Sequence, residues 1–393
     1  MRIVIVSGEA SGDLYGADLA RHLQAKHPTL ELFGVGGSRM QQAGVQLIAD
    51  SRHWGAIGIV ESVRVLPRVL RAFGRLKRSL LKLRPDLLVL IDFGAFNVPM
   101  GRWAKRHDFK VCYYMPPGSW RRDGQGRDLP QIADRILTPF AWSAQWLREM
   151  GACVVHVRHP LLRLVRSSIP KATFCERLGL DATRPLVALL PGSRRHEVAA
   201  LVPLYARVAE LVNQHLPEVQ FVLSVAPNIS TEWLHQLWAE GSPNWVPIET
   251  RPVWDMLAHA DAAVICSGTA TLEAALLGTP MLIVYRGSSW MNLEYRMRRR
   301  RLALRFIGLP NLLLDREVCP EFIQEAASPE TLTRHLIGLL RQDETYQSQK
   351  EAFGQIRHLL GENEPLDEAP EWIEQHLIAS MQAQGASSRG SCG

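Results

Sequence analysis

The sequence predicts an α/β protein with two doubly wound parallel-sheet domains, and three observations carry that prediction. Short runs rich in Val, Ile and Leu alternate with longer amphipathic segments, the pattern of strands buried on both faces between crossover helices. The alternation breaks near residues 161–184 and then resumes, and 393 residues exceed what one core usually holds. Two loops of small and basic residues also follow strand candidates, at the strand ends where such sheets bind ligands.

In chain order, the strands expected in the first half are RIVIVS from Arg2, ELFGV from Glu31, DLLVLID from Asp86, KVCYYM from Lys110, RILTP from Arg135 and CVVHV from Cys153. Residues 1–160 are read as the first domain. Residues 161–184, with the proline-bearing SSIPKA, read as a linker. The rhythm restarts at PLVALLPGS from Pro185 and continues through VQFVLSV, NWVPI, AAVICSG and PMLIVYR, giving a second domain over 185–350. Helices in 351–382 are expected to return toward the first domain, and 383–393 to form a flexible tail. The cleft between the two domains is the expected site.

Hydrophobic residues at 47% and charged ones at 21% exclude a disordered chain. The six cysteines, Cys112, Cys153, Cys175, Cys266, Cys319 and Cys392, form no CxxC pair, which points to a reducing compartment. No run of 18 apolar residues and no signal-peptide core is present, so a cytoplasmic protein, at most peripheral to a membrane, is expected. The net charge of +6 favours anionic partners.

Two loops suit phosphate. CSGTATLEAALLGTP, from Cys266, leaves a strand and opens a helix with Ser267, Gly268, Thr269 and Thr271 at its start; free N–H groups and the helix dipole favour an anion there. Glu273 stands where a carboxylate could accept from ribose hydroxyls; the same residues also fit an ordinary N-cap with a first-turn glutamate. LPGSRRHEV, from Leu190, offers Gly192, Ser193, Arg194 and Arg195 to a diphosphate, or a turn with solvated arginines. GVGGSRM has Arg39 where a dinucleotide fingerprint needs a third glycine, and neither GxxxxGK, DxD nor HExxH occurs. No metal, no cofactor and no dinucleotide are expected.

In the first domain GEASGDLYG, from Gly8, brings Glu9, Ser11 and Asp13 to a strand-to-helix turn, with Asp13 fitting either first-turn helix charge or a substrate contact. Glu61 in AIGIVES is a further acidic candidate. LLVLIDFGAFN ends an apolar run on Asp92, a helix cap or a base. Arg64, Arg68, Arg71, Arg75, Arg78 and Lys82 fall at spacings of four and three, beside an apolar stripe of Leu66, Val69, Leu70, Phe73, Leu76 and Leu80. That pattern fits an amphipathic helix on anionic lipid, or a solvated face over a core face. The cluster YRMRRRRLALRF, with Arg296, Arg298 and Arg301, matches no nucleic-acid-binding signature, so no nucleic acid is expected.

Taken in order, GEASGD, VGGSRMQQAG, GIVES, IDFGAFN, LPGSR, SGTATLEAAL, PMLIVYR and IGLPNLLLDREVCPEFIQ make the chain resemble the lipid-A-disaccharide synthase family over nearly its full length. The resemblance implies a GT-B glycosyltransferase that moves 2,3-diacylglucosamine from UDP to 2,3-diacylglucosamine 1-phosphate. The reaction inverts the anomeric carbon and needs no metal. It implies a lipid-linked acceptor, work at the anionic inner face of the inner membrane, and a homodimer with exchanged C-terminal segments. By the same resemblance Asp92 is the base, Arg194 the essential arginine, and Ser267, Thr269, Thr271 and Glu273 hold UDP. Asn311 and Glu321 would line the donor side, and Trp120 the acceptor side. A related transferase with another acceptor, a UDP-sugar 2-epimerase and a non-catalytic relative are the competing readings.

The chain departs from that family's pattern where Phe93, Gly94 and Ala95 replace Ala-Pro-Asp after Asp92, so the second aspartate is missing. It departs again at Pro116 to Arg122, where Arg122 stands for a tryptophan, and at Arg158, which replaces a glycine before His159.

Overall fold

The computed structural model describes residues 1–52, 54, 59–116, 128–226, 229–239, 246–249, 253–287 and 305–378; within the helix Ile59–Leu83, side chains are described from residue 66 onward. The chain forms two compact units, Met1–Pro160 with Leu359–Gly393, and Leu161–His358.

The first unit holds a parallel sheet of seven strands among the described residues: β1 (Arg2–Ser7), β2 (Glu31–Gly36), β3 (Gln46–Asp50), β4 (Leu87–Ile91), β5 (Val111–Tyr114), β6 (Arg135–Thr138) and β7 (Val154–His156). Their order is β3-β2-β1-β4-β5-β6-β7, so the sheet grows outward in both directions from the β1/β4 pair. That reversal is where α/β sheets open a ligand crevice beyond their carboxyl ends. The β1/β4 register runs from Ile3 opposite Leu87 to Ser7 opposite Ile91, so both strands end together and the loops starting at Gly8 and Asp92 lie side by side.

The second unit repeats the plan. Its strands β8 (Leu186–Leu190), β9 (Gln220–Ser224), β10 (Ile248–Glu249), β11 (Ala262–Cys266), β12 (Met281–Tyr285) and β13 (Glu321–Ile323) are ordered β10-β9-β8-β11-β12-β13. Here the reversal falls between β8 and β11, whose register places Leu190 opposite Ile265, and it brings the loops after Leu190 and Cys266 together.

The central strands are those whose apolar runs are continuous: every residue of β4, β8 and β11 is buried. The sequence pattern misses β3 and β13. The first, QLIAD, is a half-exposed edge strand, and the second has only three residues; neither carries a continuous apolar run. Within NWVPI only Ile248 and the following Glu249 pair as a strand, and residues 244–245 lie outside the described residues.

Residues 161–184 are not the linker the sequence suggests. They form the helices Leu161–Leu164 and Lys171–Leu178, with Phe174 and Cys175 buried. The polar SS dipeptide is fastened rather than solvated: the Ser168 N–H donates to Asp255 Oδ1 at 2.6 Å and the Ser167 hydroxyl donates to the same oxygen at 2.9 Å. The unit boundary at the far end also differs from the expected residue 351, because one helix spans Glu344–Leu359 without a break. The chain rejoins the first unit at Leu359, and Arg158 is part of that junction. Its N–H donates to the Asp367 carbonyl at 2.9 Å, its Nη2 to the Glu364 carbonyl at 2.9 Å, and its Nη1 lies 3.7 Å from the Glu368 carboxylate.

The basic helix Ile59–Leu83 buries Ala72, Leu76 and Leu80 against the sheet. The apolar stripe is only partly a core face, because Leu66 is 49% and Leu70 60% exposed, alongside the exposed Arg68, Arg71, Arg75, Arg78 and Lys82. The Glu61 and Arg64 side chains lie outside the described part of this helix.

Candidate active site

At the β1/β4 reversal, Asp92 and Phe93 follow the last residue of β4 with φ of 47° and 45°. Two consecutive non-glycine residues in the left-handed region cost on the order of 1–2 kcal/mol each, so the surroundings must hold them there. The Asp92 N–H donates to the Tyr114 carbonyl at 3.1 Å, and its carbonyl accepts from Asn97 Nδ2 at 3.0 Å and the Tyr113 hydroxyl at 2.9 Å. The Phe93 ring fills the space over Gly8, where a Cβ would stand 2.0 Å from it. Phe93 also packs near Trp54 and Phe96, with ring centroids 6.1 and 6.3 Å away. Any side chain at position 8 would displace Phe93, which ties the GEASGD turn to the Asp92 loop.

The Asp92 carboxyl is pushed up to about 7, first by burial and second by the negative charge of Glu9, while a backbone N–H at Phe93 opposes both. A carboxyl poised there can accept a proton from a substrate at neutral pH. Glu9 is exposed at the start of the helix Ala10–Lys26, and Ser11 is half-buried in its first turn.

Asp13, an acceptor-side candidate in the sequence, is otherwise engaged. Its buried carboxylate accepts from the N–H groups of Gly37 at 2.6 Å, Arg39 at 3.0 Å and Met40 at 3.1 Å. It therefore caps the helix Ser38–Gln42, whose own N-cap residue, Gly37, has no side chain to do so. Trp120 lies outside the described residues, as do residues 117–119 and 121–122, and the cluster of Arg296, Arg298 and Arg301.

At the β8/β11 reversal the loop Pro191–Arg194 turns at Gly192, with φ of +97°. A Cβ there would lie 2.5 Å from Glu197 Oε2, so only glycine fits on both conformational and steric grounds. Glu197 organises this loop. It is 2% exposed, accepts from Arg194 Nη1 at 2.7 Å and from the Arg194 N–H at 3.2 Å, and so fixes the arginine at the start of the helix Arg195–His215. Ser193 is exposed in the same loop, and the Arg195 guanidinium stacks 4.6 Å from the Trp233 ring centre.

Beside it, Ser267, Gly268 and Thr269 lead into the helix Thr269–Leu277, with Gly268 exposed and nothing within 4 Å of where its Cβ would stand. An anion can approach the backbone N–H groups closely there. Glu273 is half-buried one turn further in.

Three donor candidates turn out to hold the loop rather than face it. Thr271 is fully buried, donating to the Gly268 carbonyl at 2.8 Å and accepting from the Leu309 N–H at 3.3 Å. Asn311 is also fully buried and uses its whole amide: Nδ2 donates to the Cys319 carbonyl and Glu321 Oε1, while Oδ1 accepts from the N–H groups of Val318 and Cys319. No capacity is left for a ligand. The Glu321 carboxylate accepts from the N–H groups of Ile307 at 2.9 Å and Gly308 at 2.8 Å. Burial pushes its carboxyl up against those hydrogen bonds. Through this clamp Ile307 is placed to accept from the Ser267 hydroxyl at 2.8 Å, so Asn311 and Glu321 support the loop Ser267–Thr269 from behind.

Sequence reasoning missed Glu197, Asn97 and Tyr113. The first was legible as a glutamate three residues past a helix start, where its carboxylate can reach back to the N-cap N–H. The other two act on a backbone carbonyl, for which side-chain spacing carries no signal. Among the described residues no group of His, Cys, Asp and Glu is arranged to hold a metal ion, and no helix is long and apolar enough to cross a membrane.

Comparison with known proteins bears on the fold and the family. The fold is shared with UDP-GlcNAc 2-epimerase from Neisseria meningitidis bound to UDP-GlcNAc, at a TM-score of 0.60 and 13% identity over 92% of this chain and 99% of that one. It is shared equally with a spinosyn rhamnosyltransferase complexed with thymidine diphosphate, at a TM-score of 0.57 and 14% identity over 97% and 99% of the two chains. In sequence the chain is 37% identical to the lipid-A-disaccharide synthase of Trichlorobacter lovleyi over 92% of its own length and 93% of the relative's. It is 33% identical to that of Coxiella burnetii over 91% and 93%. Residues 3–372 match the model of the lipid-A-disaccharide synthetase family, and the chain belongs to that family.

Proposed function

We propose that the chain transfers 2,3-diacylglucosamine from its UDP donor to the 6′-hydroxyl of 2,3-diacylglucosamine 1-phosphate, inverting the anomeric carbon and releasing UDP. The observation that carries this reading is the family match over residues 3–372, and each unit has chemistry suited to it at its own strand-order reversal. One presents a carboxyl held near neutrality, the other a Gly-Ser-Arg loop beside an open helix start.

In this mechanism Asp92 accepts the proton of the acceptor hydroxyl as its oxygen attacks the anomeric carbon, and the bond to the UDP oxygen breaks with its electron pair. Arg194 and the N–H groups from Ser267 to Thr269 stabilise the charge that grows on the diphosphate. Thr269 and Glu273 contact the nucleotide, while Thr271, Asn311 and Glu321 keep the loop in place. Glu9 contributes through its charge, which helps keep the Asp92 carboxyl near neutrality. The decisive assay is a panel of UDP-sugar donors and acceptors with products identified by mass. A disaccharide formed only from acylated donor and acylated 1-phosphate acceptor is expected; epimerisation of UDP-N-acetylglucosamine without any acceptor would overturn the reading.

The exposed Leu66 and Leu70 among Arg68, Arg71, Arg75, Arg78 and Lys82 support docking of the helix Ile59–Leu83 on an anionic membrane surface, the leucines entering the interface and the arginines meeting headgroups. Charge reversal at Arg71, Arg75 and Arg78 is expected to lower binding to vesicles containing phosphatidylglycerol by about tenfold or more, at roughly 1 kcal/mol per basic residue. Co-sedimentation measures this, and binding that survives both the reversal and high salt would return the stripe to a solvated face.

A further inference from the structure

We propose that Tyr113 and Asn97 are positioning residues for the base: together they hold the Asp92 carbonyl, and so set the direction of its carboxylate. This inference rests on the reading of Asp92 as the base.

Asp92 is reached by no regular element. β4 ends at Ile91 and the helix Gly94–Lys105 begins three residues later, leaving Asp92 and Phe93 as a two-residue corner in the left-handed region. At such a corner, gripping the carbonyl fixes φ and ψ, and with them the direction of the Cα–Cβ bond from which the carboxylate extends. Two donors grip it. The Tyr113 hydroxyl arrives from β5, the neighbouring strand, at 2.9 Å, and Asn97 Nδ2 from the first turn of the following helix at 3.0 Å.

Both side chains are placed to donate to that carbonyl. Tyr113 is fully buried, and burial together with the nearby Asp92 charge pushes its hydroxyl well up, so it remains a donor throughout the working range. Asn97 is also fully buried, and its Nδ2 lies within reach of three carbonyls, at Val6, Ile91 and Asp92, the ends of β1 and β4 and the corner itself. Its Oδ1 accepts nothing among the described residues. An amide retained with its acceptor unused, while its donor is shared three ways, is there for donation. With Ala95 supplying no second carboxylate, aim rather than a companion charge is what this loop provides to Asp92.

Tyr113→Phe removes one hydroxyl and leaves the ring in place. It is expected to lower kcat roughly 10- to 100-fold, the scale of a misplaced catalytic group, with KM for both substrates and the thermal unfolding midpoint nearly unchanged. Asn97→Ala is expected to lower kcat at least as much and to lower the midpoint as well. The double variant Asp92→Asn with Tyr113→Phe is expected to be no slower than Asp92→Asn alone, because a residue that acts only through the base has nothing to add once the base is gone. Wild-type kcat in Tyr113→Phe, or a further loss in the double variant, overturns the positioning role while leaving the base reading intact. Wild-type kcat in Asp92→Asn overturns the base reading itself, so the two failures are distinct.

Discussion

Asp92→Asn is expected to lower kcat by about three orders of magnitude, within the range that general base catalysis supplies. It should also abolish the acidic limb of the pH profile. The Asp92 carboxyl sits at about 7 because burial and Glu9 disfavour its charged form, so wild-type kcat/KM is expected to rise as pH increases through about 7 and then level off. Stability should move the opposite way. A carboxyl whose folded value lies above its unfolded one holds its proton more tightly in the folded state, so its contribution is complete below about 4 and is lost as pH rises through about 7. The asparagine variant escapes that loss. Its melting temperature is expected to exceed the wild type's by more at pH 8 than near pH 4, and an equal difference at both pH values would mean that Asp92 ionises without a burial penalty.

Arg194→Ala is expected to act twice. Loss of a cation at the diphosphate should cost about 100- to 1000-fold in kcat, the scale of removing one donor to developing charge. It also takes the guanidinium at 2.7 Å from the Glu197 carboxylate, which is 2% exposed and keeps only the hydrogen bond from the residue-194 N–H, and leaving that charge under-compensated costs about 1–3 kcal/mol. The two effects separate in the double variant Arg194→Ala with Glu197→Gln. The neutral amide removes the stranded charge, so the melting temperature should largely recover while kcat stays low. Recovery of kcat with stability would show that Arg194 serves the fold alone, and urea unfolding with initial-rate assays on the same samples measures both.

The departures of this chain from its family's pattern find different explanations. The Arg158 guanidinium makes two contacts to the returning C-terminal segment, to the Glu364 carbonyl and the Glu368 carboxylate, which a glycine could not duplicate. Phe93 has become the ring that closes over Gly8 and meets Trp54, so an aromatic contact now stabilises the corner that carries Asp92.

Composition and periodicity alone determined the α/β class, the run of central strands and the small-residue loops after β8 and β11, because a strand buried on both faces must be apolar throughout and a tight strand-to-helix turn takes small residues. Edge strands such as β3 and β13 escaped, since a half-exposed or three-residue strand leaves no such run. Which polar residues face substrate was decided by tertiary packing. Asp13, Thr271, Asn311 and Glu321 look like ligands in the sequence, yet their polar atoms are taken up by backbone groups that the fold brings from elsewhere in the chain. Asp92 reads in the sequence as either a cap or a base. The pairing of β1 with β4, the left-handed corner and the grip of Tyr113 and Asn97 bury its carboxyl near Glu9. Hydrogen-bond satisfaction and desolvation depend on neighbours in space, and spacing along the chain does not record them.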